Sequence, residues 1–118
     1  MVTSLLRERM RRLLRVRNYS PRTEETYIEA IARFARHFGR SPAELGKREI
    51  QQFQIWLREE RHVLASAFNQ IAAALRFVYT EVLARPEEVE TLLHARRERR
   101  LPVVLSTEEL RRFSRLDT

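Results

Sequence analysis

The segment Asn18-Tyr19-Ser20-Pro21-Arg22-Thr23-Glu24-Glu25-Thr26-Tyr27 punctuates the chain as a helix start. Ser20 offers an N-cap oxygen, and Pro21 takes the first helical position, where its missing N–H costs nothing. Glu24 and Glu25 follow in the first turn, where negative charge complements the macrodipole. Arg22 and Thr23 stand at the helix entrance, a place where backbone N–H groups favour phosphate oxygens.

Working outward, residues 4–17 read as a first helix. Leu5, Leu6, Met10, Leu13 and Leu14 form one apolar stripe at three- and four-residue spacing. Arg7, Arg11 and Arg15 make a row on another side, with Arg9, Arg12 and Arg17 nearby. A basic helix with this pattern also suits a membrane surface. It lacks aromatic residues, however, and leads straight into a capped helix, which favours a folded domain. The second helix runs from Pro21 to about Phe38, burying Tyr27, Ile31, Phe34, Ala35 and Phe38, and Gly39 is its expected stop. Ser41-Pro42 opens a single turn that Gly46 closes. A third helix covers about 47–60, with Ile50, Phe53, Ile55, Trp56 and Leu57 inward or half-buried. A fourth covers about 65–83. It carries apolar residues on most sides (Phe68, Ile71, Ala72, Leu75, Val78, Tyr79, Val82), which predicts a central helix touched by several neighbours. Pro86 begins a fifth, shorter helix through Val89, Leu92 and Leu93. Ser106-Thr107-Glu108-Glu109 then matches a capping box.

The chain has 118 residues, 43% of them hydrophobic, and two glycines. That is one ordinary domain dominated by regular structure. Without cysteine there is no disulfide framework and no thiolate metal site. The three histidines, His37, His62 and His94, lack metal-ligand spacing, and no cofactor is expected. No signal peptide is visible, and no stretch approaches the ~20 apolar residues that span a bilayer. The expected setting is the cytoplasm. Basic residues exceed acidic ones 23 to 16, for a net charge of +7. Lys47 is the only lysine, as a GC-rich coding sequence would give, but codon bias does not account for the excess itself. An excess of this size favours a polyanionic partner, nucleic acid above all.

Three blocks resemble one family. Arg17 to Tyr27 is similar to a pattern of Tyr-Ser, then Arg-Thr-Glu, then a core Tyr. Ser66-Ala67-Phe68-Asn69-Gln70, continuing through Leu75, Phe77 and Tyr79, resembles a helix with Asn-Gln near its start and Leu-x-Phe-x-Tyr near its end. Arg99-Arg100-Leu101-Pro102-Val103-Val104-Leu105-Ser106 is similar to a linker and the opening of a second domain. In this order the blocks resemble the N-terminal core-binding, SAM-like domain of tyrosine recombinases (the phage integrase family), most closely the integron-type integrases. Ala67 and Phe68 depart from the Thr-Gln usual there.

The resemblance implies an all-α fold, a compact orthogonal bundle of four to five helices. It implies a core-binding domain over residues 1–95, a basic interdomain linker over 96–105, and the start of a truncated catalytic domain over 106–118. It also implies duplex DNA as partner, with the second and fourth helices facing the major groove, and it leaves self-association with other recombinase protomers open. No membrane and no small-molecule substrate is expected. The family's catalytic arginine, His-x-x-Arg box and tyrosine have no counterpart here, so no strand cleavage is expected of this chain alone.

Two clusters follow as candidate DNA contacts. Arg15, Arg17, Ser20, Arg22 and Thr23 surround the entrance of the second helix. Ser66, Asn69 and Gln70 surround that of the fourth. Arg96, Arg97, Arg99 and Arg100 would cross the DNA backbone. Arginines neutralise phosphates, and Asn or Gln reads adenine bidentately. The bland alternatives are a solvated face for the arginines, simple capping for Ser20 and Ser66, and a basic tail for 96–100. Asn69 and Gln70 form a polar pair on an apolar helix and need a partner. Arg76 would either join them or pair with Glu81. Two other classes fit the same composition: a standalone helical DNA-binding regulator, whose last helix would complete its own core, and a protein-interaction module, which would self-associate and ignore DNA.

Overall fold

Helix α4, Ala65–Phe77, is the element around which the others are laid. The computed structural model describes residues 4–96, and its remaining elements are α1 (Ser4–Val16), α2 (Pro21–Phe38), α3 (Lys47–Glu59), two 3₁₀ turns (Pro42–Glu44 and Pro86–Val89) and a π-helical turn (Val78–Val82) that continues α4. The fold is all-α, and no strand occurs among the described residues. Phe68, Ile71, Ala72, Ala74, Leu75, Phe77, Val78, Tyr79 and Val82 are all buried. These positions go round the helix axis, so α2, α3 and both following turns pack on it. No described helix is long and apolar enough to cross a membrane.

Local chemistry sets the boundaries of α2. The Ser20 hydroxyl accepts from the Thr23 N–H at 3.2 Å and donates to the Thr23 hydroxyl at 3.0 Å. At the other end Gly39 has φ +65°, a left-handed conformation that glycine adopts without steric penalty. Ile28, Ile31, Phe34 and Ala35 face inward. Phe34 packs edge-on to Phe53 of α3, 5.1 Å between ring centres, and lies 6.5 Å from Tyr79.

Helix α3 starts where Gly46 meets the turn Pro86–Val89. A Cβ on Gly46 would stand 2.8 Å from a Glu88 carboxylate oxygen, so a larger residue would push that carboxylate away. Glu88 accepts the Lys47 N–H at 2.7 Å, capping α3 from a distant part of the chain. Arg85 ties the same junction together, donating to the Ala43 carbonyl at 3.0 Å and to Glu88 at 3.2 Å. Beneath it the Tyr79 hydroxyl, fully buried, donates to the Pro42 carbonyl at 2.6 Å. Burial raises the Tyr79 phenol well above its ordinary range.

Helix α1 is held to α2 by charge as well as by Leu6, Met10 and Leu14. Glu24 is only 5% exposed. Arg15 donates to it at 3.1 and 3.3 Å, and Arg11 at 2.9 Å. The hydrogen bond from Arg15, then that from Arg11, hold the Glu24 carboxyl below the usual carboxylate range, against the upward push of burial. Arg9 donates to the Val82 carbonyl at 3.1 Å and joins α1 to the π-helical turn.

Four sequence expectations are corrected. Leu5 lies outside the α1 stripe and is 68% exposed, because the buried row is Leu6, Met10 and Leu14. Ile55 is 48% exposed, since α3 buries the face of Ile50, Phe53, Gln54 and Leu57 instead. The fourth helix is regular only to Phe77 and then widens: the Leu83 N–H bonds the Val78 carbonyl at 2.8 Å, and the Arg85 N–H bonds the Tyr79 carbonyl at 2.6 Å. The fifth helix is a single turn, Pro86–Val89. The Leu93 and Ala95 N–H groups, which a longer helix would spend on its own carbonyls, go to side-chain amides. The capping box at 106–109 lies outside the described residues.

Replacing Tyr79 by Phe removes one of the two donors to the Pro42 carbonyl and leaves it the Leu45 N–H at 3.1 Å. The expected loss is about 0.5–1.5 kcal/mol of unfolding free energy, the net worth of one hydrogen bond, read from the denaturant midpoint at neutral pH. For Glu24 the sign follows from a lowered folded-state value: its stabilising contribution is present above the ordinary carboxylate value of 4.5 and is lost as pH falls through the lower folded value. Denaturation midpoints measured from neutral to acid pH should fall for the wild type. For Glu24→Gln they should start lower and fall less steeply.

Candidate nucleic-acid interface

Helices α2 and α4 run antiparallel. Tyr19, just before α2, lies 5.9 Å from Phe77 at the end of α4, and Tyr27 lies 6.1 Å from the same ring. Farther along α2, Ala30 and Arg33 share one pocket with Ala67, Gln70 and Ile71 near the start of α4. The entrances of the two helices therefore stand at opposite ends of one shared face. The eleven residues from Ser66 to Phe77 place them roughly 16 Å apart at the helical rise. The two expected clusters are not brought together, but both border the α2/α4 face.

At the α2 entrance the arginines divide. Arg22 is exposed and makes no ion pair among the described residues. Arg15 is paired with Glu24, and Arg17 with Glu81. Both arginines keep exposed surface, 67% and 50% of the side chain, but only the Arg17–Glu81 pair is open to water on both sides, so its net worth is small, while Glu24 is enclosed. Ser20 and Thr23 are bonded to each other as a cap.

At the α4 entrance Ser66 and Gln70 are exposed, and their side chains make no hydrogen bond or ion pair among the described residues. Asn69 is different. Its amide donates to the Ala95 carbonyl at 2.8 Å and accepts the Ala95 N–H at 2.8 Å. The partner demanded by a polar residue on an apolar helix is thus the main chain of the same molecule. Arg96, one residue on, is exposed. Arg97, Arg99 and Arg100 lie outside the described residues.

Toward the α2-entrance end of this face lies an open groove of about 360 Å³. Arg17, Tyr19, Tyr27, Arg76, Thr80 and His94 line it, together with Phe77 and Glu81. Tyr19, Tyr27 and Phe77 form its aromatic floor, and burial followed by the nearby Tyr19 raises the Tyr27 phenol above its ordinary value. Arg76 is exposed and unpaired among the described residues; Glu81 pairs with Arg17 instead. Chemically the groove offers cationic groups and hydroxyls around an apolar floor, which suits an anion attached to a flat or hydrophobic body. Arg7, Arg12 and Arg48 are also exposed without an ion pair among the described residues, on α1 and α3. The charge excess therefore extends beyond one face. No cluster of metal-binding side chains occurs among the described residues.

Sequence reasoning missed three participants. Gln54 sits in the buried row of α3 at 1% exposure, and the signal was its place one turn after Ile50. Glu24 lies inside the α1–α2 contact, and the i, i+4 spacing of Arg11 and Arg15 was the trace of it. The aromatic groove left no local signal, because it joins residues far apart in the chain.

Comparison with known proteins agrees with this architecture. The model of the phage integrase N-terminal SAM-like domain matches residues 6–88. An integrase/recombinase from Escherichia coli is 42% identical over 114 residues, covering 95% of this chain and 33% of its own length. An integrase/recombinase from Pseudomonas aeruginosa gives the same figures. The protein y4qK of Sinorhizobium fredii, which carries an integrase/recombinase name, is 35% identical over 116 residues, covering 96% of this chain and 37% of its own length. The chain thus spans about a third of the length of these relatives. With its helical bundle, its capped second helix and a family model covering most of its described residues, the chain belongs to the phage integrase N-terminal SAM-like domain family.

Proposed function

We propose that this chain binds duplex DNA through the α2/α4 face, as the core-binding domain of a site-specific tyrosine recombinase. The observation that carries the reading is the set of exposed cations bordering that face with no carboxylate partner among the described residues: Arg22, Arg76 and Arg96. A domain of net charge +7 that leaves arginines unpaired beside a groove is suited to a polyanion. Ser66 and Gln70, exposed near the start of α4, are the groups available for base edges or phosphates.

Arg17 joins the contact by exchanging Glu81 for a phosphate, and Arg15 by offering its exposed side while it keeps the enclosed Glu24. A solvent-open pair such as Arg17–Glu81 is worth roughly 0–1 kcal/mol, so that exchange is cheap. Ser20 and Thr23 serve first as the α2 cap and present that helix end to the backbone. Residues 96–105 are read as a basic linker in which Arg97, Arg99 and Arg100 add sequence-independent affinity, and residues 106–118 as the start of the catalytic domain. Strand cleavage belongs to that second domain on this reading.

Titration of the purified chain with a labelled duplex at increasing salt tests this. Binding should weaken linearly on a log–log plot. Arg22→Ala and Arg76→Ala should each reduce the slope by about 0.9, the loss of one phosphate contact, with the fold unchanged by circular dichroism. Affinity indifferent to salt, or slopes untouched by both substitutions, would contradict the proposal.

A further inference from the structure

After the turn Pro86–Val89 the chain does not simply run off the bundle. Three side-chain amides fasten it. Gln51 donates to the Thr91 hydroxyl at 2.8 Å. Gln54 donates to the Leu93 carbonyl and accepts the Leu93 N–H, both at 2.9 Å. Asn69 does the same for Ala95, both bonds at 2.8 Å. A primary amide has one acceptor and two donors in one plane, so it meets the N–H and C=O of a single residue as a neighbouring β-strand would.

The two clamped residues are two apart. In extended chain, positions i and i+2 turn their backbone groups to the same side. Gln54 on α3 and Asn69 on α4 therefore stand in for a strand that the fold lacks, and they set the register of the segment. The residue between them, His94, makes no backbone hydrogen bond among the described residues, and its side chain lines the aromatic groove beside Arg76. A one-residue slip would break all four amide bonds and turn His94 away from the groove. Gln54 is 1% exposed, and a buried amide cannot be left without partners at little cost, so the register is strongly defined.

The structure assigns Gln54 and Asn69 a joint role as positioning residues: a pair of amide clips that fixes where the chain leaves the bundle. Resting on the DNA-binding reading above, the clips deliver Arg96 to the α4 side of the binding face. Asn69 on this account acts through Ala95 and does not read a base.

Amide hydrogen exchange by nuclear magnetic resonance on the full 118-residue chain tests it directly. The Leu93 and Ala95 amides should be protected, with His94 between them exchanging fast. In Asn69→Ala, Ala95 should lose about tenfold or more of its protection while Leu93 keeps its own, and trypsin should cut faster after Arg96. Gln54→Ala is the reciprocal variant; Asn69 is only half-buried, so Asn69→Ala decides the matter even if Gln54→Ala fails to fold. Ala95 exchanging as fast as His94 in the wild type, or protection unchanged in Asn69→Ala, would overturn the clips. Duplex affinity separates the roles of Asn69. A clip lowers affinity by a similar factor on unrelated duplexes, whereas a base reader lowers it only on preferred ones, and that second result would overturn the assignment. A wild-type chain that ignores DNA at every salt would sink the functional reading, and the exchange pattern would still judge the clips.

Discussion

Burial of α4 on nearly every side is the constraint from which the rest follows. A helix enclosed in this way cannot leave polar groups unanswered, since a buried donor or acceptor without a partner costs more than a bond returns. Among the described residues no buried side-chain polar atom lacks a partner. The answers come from far along the chain: Tyr79 reaches the Pro42 carbonyl, and Asn69 reaches Ala95. Each such bond ties a loop to the central helix. The bundle is thereby closed by hydrogen bonds at both ends of α4, with phenylalanines in between.

The arginines serve two purposes, and burial of their partners separates them. Arg11 and Arg15 converge on a carboxylate that is almost fully enclosed, and Arg85 braces the α3 entrance through Glu88. These contacts define how elements meet. Arg17 and Glu81, by contrast, form a pair open to solvent, where screening leaves little net energy. A DNA phosphodiester, with one charge shared by two free oxygens, competes well for such an arginine. The same residue type thus builds the domain on one side of α2 and remains exchangeable or free on the other.

Much of the fold was legible because its signals are local. Ser20-Pro21 and Gly39 bound α2 through capping chemistry that needs no tertiary information. The all-round apolar character of the fourth helix announced a central position. What escaped were features made by distant pairing. The end of α4 widens into a π-helical turn within a tertiary junction, and the expected fifth helix is cut short because Gln54 and Asn69 take its backbone groups. Propensity cannot foresee that competition. The candidate site was half legible. The residue types stood out by charge, but antiparallel packing separates the two helix entrances, and the aromatic groove arises only when residues 17–27, 73–81 and 94 are folded together. Asn69 was noticed for the right physical reason, a polar group in need of a partner, and its partner lay within the chain.

The most direct measurement is a map of backbone amide shifts as a duplex is titrated into the labelled chain. The largest changes are expected along the α2/α4 face, at Arg22, Gln70, Arg76 and Arg96, with the outer side of α3 around Gln52 and Ile55 unmoved. Shifts centred on α3 with the α2/α4 face silent would contradict DNA binding through that face.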